Sequence, residues 1–138
     1  MVAKVENNSM INLWLDDERT PPPFADNGIH WQWVKTADEA VEVLKTGKVT
    51  FASLDHDLAD EHYQAFQREY ETGVTTSEPP KEKTGFFVLN WMEENDVWPE
   101  NGVRIHTMNP FRKEQMLFVV RKNYKRNFQY QYKGTHIV

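Results

Sequence analysis

The sequence predicts an α/β domain built on a mostly parallel sheet, and three observations carry that prediction. Short apolar runs alternate with segments of helical periodicity, the order that implies strands joined by right-handed crossovers. One of those runs, 11–15, is apolar almost throughout, as a strand covered on both faces is. Three runs end abruptly in polar clusters: Asp16-Asp17, Asp55-His56-Asp57 and His106-Thr107-Met108-Asn109. Parallel sheets keep their ligand crevice beyond the carboxyl ends of the strands, so three such endings predict one site at one edge.

Taken in order, residues 1–9 are polar and predict a flexible N-terminus ahead of a single domain over 10–138. Ile11 to Leu15 is the first strand, with Asn12 its only polar interruption. Asp16 to Asn27 is a loop, because Pro21-Pro22-Pro23 suits neither a helix interior nor a central strand; Asn27-Gly28 signals a turn. Ile29, Trp31 and Trp33 alternate with His30, Gln32 and Val34, a period-two strand with one aromatic face. Thr36 and Glu39 form a capping box for a helix carrying Ala37, Ala40, Val41 and Leu44, which Gly47 ends. Val49 to Leu54 is the third strand.

Glu61 to Tyr70 predicts a short helix inside a loop insertion near 60–83, whose polar part contains Pro79-Pro80. Such an insertion beside a strand end reads as a lid or as a plain loop. Thr84 caps a buried helix from Phe86 to Met92. Val103 to Ile105 is a short strand. Asn109-Pro110 starts the next helix, a capping side chain followed by the residue that suits the first helical position. Met116, Val119 and Val120 mark its inward stripe. Phe128, Tyr130 and Tyr132 alternate with glutamines and predict a closing strand.

One core is what 138 residues accommodate, and the 13% aromatic content fills it. There is no cysteine, which excludes disulfides and thiolate metal sites and fits a cytoplasmic setting. The longest apolar run, Met116 to Val120, is far short of a membrane span, so no membrane partner is expected. The net charge of −5 is spread unevenly. Residues 1–100 carry eight Lys/Arg against twenty Asp/Glu; residues 101–138 carry eight against one. A basic C-terminal third suits an anionic ligand, or else forms a solvated face that pairs with the acidic part.

Asp16 and Asp17 repel one another and are costly to bury without a cation. A divalent ion resolves that, and Mg²⁺ takes one or two carboxylates plus water and phosphate oxygens. The plainer reading is a solvated acidic loop paired with Arg19. Asp55 and Asp57 bring more carboxylate to a neighbouring strand end, and His56 would admit Mn²⁺; otherwise His56 or Asp57 merely caps a loop. His106 can move a proton near neutral pH. Asn109 and its helix start present free backbone N–H groups, an anion site. Arg112 opposes the helix dipole there, a misfit that gripping a phosphate would relieve.

Four segments, LWLDDERTPP, ASLDHDLAD, Thr84-Gly85 before the buried helix, and IHTMNPFRKEQM, resemble the cyclic-phosphate-processing receivers over residues 10–122. That resemblance implies a compact three-layer, flavodoxin-like relative of the response-regulator receiver. It implies an Mg²⁺-binding pair at Asp16 and Asp17, Asp55 where a receiver keeps its phosphoacceptor, and His106-Thr107 near the receiver's conserved Ser/Thr. The sequence departs from receivers in two places. A proline loop stands where the first receiver helix would be, and no lysine ends a final crevice strand, Lys133 being too late in the tail. Ordinary phosphorelay signalling is not expected.

The combined expectation is a metal-dependent phosphoesterase opening a cyclic phosphate on a nucleotide or RNA end. Asp55 and His106 are its catalytic candidates. Asp16, Asp17 and Asp55, with Asp57 or His56, are ligands for Mg²⁺ or Mn²⁺; Thr107, Asn109 and Arg112 bind phosphate. The alternative is a receiver-like module that binds a phosphate, nucleotide or protein without turnover. RNA contact through Lys122, Lys125, Arg126 and the aromatics that follow is a further expectation, set against an edge strand whose aromatics cover the core.

Overall fold

The computed structural model describes residues 10–23, 28–74 and 82–127. Its elements are β1 (Ile11–Leu15), β2 (Trp31–Val34), α1 (Ala37–Leu44), β3 (Val49–Leu54), α2 (Asp60–Thr72), α3 (Gly85–Asn95), β4 (Val103–Ile105) and α4 (Pro110–Asn127). The strands form one sheet in the order β2-β1-β3-β4, every pair parallel. The α/β class and parallel sheet are those the sequence predicts. The N-terminus 1–9, part of the 60–83 insertion and the closing strand at 128–132 lie outside the described residues.

Strand register decides which side chains share a face. Leu13 pairs with Ala52 and Leu15 with Leu54; these pair in turn with Val103 and Ile105. Paired residues point the same way, so these positions make one apolar face, with Val34 joining from β2. Ala40 and Leu44 of α1, Leu89 and Met92 of α3, and Met116 and Val120 of α4 bury against it in one cluster. Helix α4 runs longer than its Met116–Val120 stripe suggests. Tyr124 is wholly buried and extends the stripe by a turn, and its hydroxyl donates to the Pro99 carbonyl.

The opposite face carries Trp14, Trp31, Trp33, Phe51, Ser53 and Arg104 by the same register. Trp14 meets Trp31 edge-on at 5.5 Å, and Arg104 lies over Phe51 at 5.5 Å. Two indoles anchor the loop that follows β1: Trp14 Nε1 donates to the Arg19 carbonyl and Trp33 Nε1 to the Asp16 carbonyl, both at 2.7 Å. The loop that stands in place of a first helix is thus pinned to the sheet by tryptophan.

Helix α2 lies at the carboxyl edge. The Tyr63 hydroxyl lies 2.8 Å from Asp17 Oδ1 and 3.0 Å from the Asp57 carbonyl. Glu69 pairs with Arg112 of α4 at 3.0 Å. His62, buried, accepts from the Leu58 N–H at Nδ1, which leaves Nε2 to donate to the Glu82 carbonyl, both at 2.8 Å. That ring ties the two sides of the insertion together.

Candidate functional site

Trp14 and Ser53 are paired, and Ser53 pairs with Arg104, so these three share a rung of the sheet. Two positions on, at the same face, stand Asp16, Asp55 and His106. The ladder continues to meet them: the Asp55 N–H donates to the Leu15 carbonyl and the His106 N–H to the Leu54 carbonyl, both at 3.0 Å. One ligand atom from each of the three side chains lies within 4.8 Å of the other two. Side-chain alternation alone therefore brings two carboxylates and an imidazole to one point.

Asp16 is buried and saturated. Its Oδ1 accepts the N–H groups of Glu18 and Arg19, at 2.9 and 2.8 Å. Its Oδ2 accepts Arg19 Nε at 3.1 Å and His106 Nε2 at 3.0 Å. A carboxylate only accepts, so His106 carries its proton on Nε2, and Nδ1 accepts from the Ser53 hydroxyl at 2.7 Å. The imidazole also stacks flat on Trp14, 4.0 Å between ring centres. Burial pushes it down to about 4, although Asp16 draws it up. The ring is neutral at physiological pH.

Asp55 is buried and accepts the His56 N–H at 2.8 Å and the Thr107 hydroxyl. Burial, and then the charge of Asp16, pushes its carboxyl up to about 7, against the pull of Thr107, the His56 N–H and Arg19. Two like charges this close favour a proton or a cation between them. The Arg19 guanidinium supplies some of that charge: Nη2 lies 3.9 Å from Asp55 Oδ2 and donates to the His106 carbonyl at 2.6 Å.

The other candidates fall around this group. Asp17 turns to Tyr63, and His56 Nδ1 pairs with Asp57 Oδ1 at 2.7 Å. Among the described residues none of Asp17, His56 and Asp57 joins the three-residue group. Thr107 contacts Asp55 and also accepts the Asn109 N–H at 3.1 Å. Asn109 caps α4, its Oδ1 accepting the Arg112 N–H at 3.2 Å. The Arg112 guanidinium bonds Glu69 at 3.0 Å and Gln115 at 3.1 Å. The charge misfit at that helix start is thus met by a buried carboxylate. Arg112→Ala is expected to lower stability by about 2 kcal/mol, because it strands Glu69. Arg112→Ala with Glu69→Gln should recover most of the loss in urea melts.

Arg19, Ser53 and Trp14 touch the site without being sequence candidates, and Tyr63 holds Asp17 beside it. For Ser53 and Trp14 the signal was available, since each lies two residues before a candidate acid on an alternating strand. Arg19 read only as a loop partner of the acids. Tyr63 gave no signal, because its reach to Asp17 depends on how α2 docks.

A family model described as "Cyclic-phosphate processing Receiver domain" matches residues 11–122. No curated protein and no solved structure gives a significant match. Among the described residues no helix is long and apolar enough to cross a membrane.

Proposed function

The chain belongs to the cyclic-phosphate processing receiver family, and from that premise we propose that it is a metal-dependent phosphoesterase that opens a cyclic phosphate on a nucleotide or RNA end. The observation that carries this reading is the rung of Asp16, Asp55 and His106, with ligand atoms within 4.8 Å of one another. The donor set fits a divalent ion: two neighbouring carboxylates, one pushed up to about 7 by burial and then by the charge of the other, and an imidazole kept neutral by burial. Mg²⁺ or Mn²⁺ held there would act as a Lewis acid on phosphoryl oxygen and lower the pKa of water.

The chain's own residues supply the rest. Asp16 and Asp55 hold the ion, with Thr107 and the His56 N–H fixing the orientation of Asp55. His106 already carries a proton on Nε2 for Asp16, so it would take a proton from the attacking water at Nδ1, relayed through the Ser53 hydroxyl. The Ser53 hydroxyl can turn from donor to acceptor at Nδ1, so the ring changes state without losing a partner. At the α4 helix start Pro110 has no N–H and those of Asn109 and Arg112 already bond Thr107 and Asn109, so the Phe111 N–H would be the one to meet a phosphate oxygen as charge develops.

The test is a panel of 2′,3′- and 3′,5′-cyclic nucleotides and cyclic-ended RNA, with Mg²⁺ or Mn²⁺. A linear phosphate product is expected from at least one, and Asp16→Asn should reduce its rate by about 10³-fold or more. Metal-bound, folded protein that opens none of them would end the reading. A second reading, binding without turnover, is favoured by one observation: both nitrogens of His106 are engaged inside the protein. It predicts tight nucleotide binding without product, and acetyl-phosphate labelling at Asp55.

A further inference from the structure

The lone pairs of Asp16 are fully used. Oδ1 holds two backbone N–H groups, while Oδ2 holds Arg19 Nε and His106 Nε2. A cation that binds Oδ2 must displace one of the two side chains there. His106 cannot easily yield, since its ring is wedged on Trp14 and bonded to Ser53. Arg19 can, since its side chain is 47% exposed and only its head group is engaged.

We infer that the Arg19 side chain is a resident counter-cation, competing with the divalent ion for Asp16 and Asp55 and turning, once displaced, to the phosphate of the substrate. The second half rests on the proposed phosphoesterase reading; the first stands without it. The guanidinium spans the whole group: Nε lies on Asp16, and Nη2 lies on the His106 carbonyl and toward Asp55. A planar fork of donors beside a cation site matches a phosphate's paired oxygens, which a lysine would not. Arg112, the arginine that sequence reasoning assigned to phosphate, is held by Glu69 and Gln115. Arg19 is the freer of the two at this edge.

The loop keeps its backbone ties without this side chain. Arg19 contributes its N–H to Asp16 and its carbonyl to Trp14 Nε1, and both are backbone groups that any substitution keeps. Arg19→Gln should therefore fold, which circular dichroism melts will establish.

The experiment is calorimetric titration of Mn²⁺ into wild type, Arg19→Gln and Arg19→Lys, then of inorganic phosphate into each Mn²⁺-loaded protein. Arg19→Gln is expected to bind Mn²⁺ about tenfold tighter, as loss of one half-exposed competing charge implies. Its phosphate affinity should fall by about tenfold or more. Equal or weaker Mn²⁺ binding by Arg19→Gln would overturn the inference. Were that variant unfolded, Arg19→Lys decides, because it keeps the charge and loses the fork. Near wild-type Mn²⁺ affinity with weakened phosphate supports the inference, and unchanged phosphate affinity overturns it. Tighter Mn²⁺ binding in Arg19→Gln with no cyclic phosphate opened would leave the competition standing and remove the phosphoesterase. Turnover with unchanged Mn²⁺ affinity would do the reverse.

Discussion

Gly85→Ala is expected to lower stability by about 3 kcal/mol or more and the midpoint of thermal unfolding by roughly 10 °C. Gly85 opens α3, and its N–H donates to the His56 carbonyl at 2.9 Å. A Cβ there would stand 1.8 Å from the Asp55 carbonyl oxygen and 2.8 Å from its carbon. Both are backbone atoms, so no side chain can swing away. Either α3 retreats, losing the seats of Val88, Leu89 and Met92 in the core, or the end of β3 moves. The second choice displaces Asp55 itself. A shift of about an ångström at a reacting group is worth on the order of a hundredfold in rate. Thermal melts, together with Mn²⁺ titration of the folded fraction, would check this. A variant with wild-type stability and wild-type metal affinity would show that this close approach sets neither.

Much of this was legible in the chain because alternation and capping act locally. The strands at Ile11–Leu15, Val49–Leu54 and Val103–Ile105 and the caps at Thr36, Thr84 and Asn109 needed only near neighbours. So did the convergence of Asp16, Asp55 and His106, since each continues a strand by one outward-facing position. What the sequence did not reveal depends on side-chain reach over long separations. Arg112 and Glu69 are far apart in the chain, and only the docking of α2 against α4 turns a phosphate-ligand candidate into a partner of a buried acid. Asp17 reads with Asp16 because the two are adjacent in sequence. Adjacent residues at a strand end diverge, and Asp17 is drawn to Tyr63. Tyr124, a tyrosine amid Lys and Asn, reads as surface in the sequence, yet its hydroxyl meets the Pro99 carbonyl.

Asp55→Asn should stabilise the metal-free protein while abolishing its response to metal. The Asp55 carboxyl is pushed from its ordinary 3.8 up to about 7 by burial and by Asp16. The folded state thus holds this proton more tightly than the unfolded chain does. The stability it contributes is complete below pH 4 and is lost as pH rises through 7. The gap between 3.8 and about 7 corresponds to about 4 kcal/mol of strain in the ionised, metal-free site at most. Asparagine removes the charge but keeps an oxygen for Thr107 and the His56 N–H, so a net gain of about 2 kcal/mol is expected above pH 7. Below pH 4 the two proteins should be nearly equal. Urea unfolding in EDTA at pH 5 and pH 8 reads the difference, which should widen at the higher pH. Adding Mn²⁺ at pH 8 should then reverse the order, since the wild-type carboxylate gains a cation partner and asparagine offers no charge to one. An Asp55→Asn protein less stable than wild type in EDTA at pH 8 would mean that Arg19 already neutralises the pair. The repulsion between Asp16 and Asp55 would then be no reason for a metal to bind.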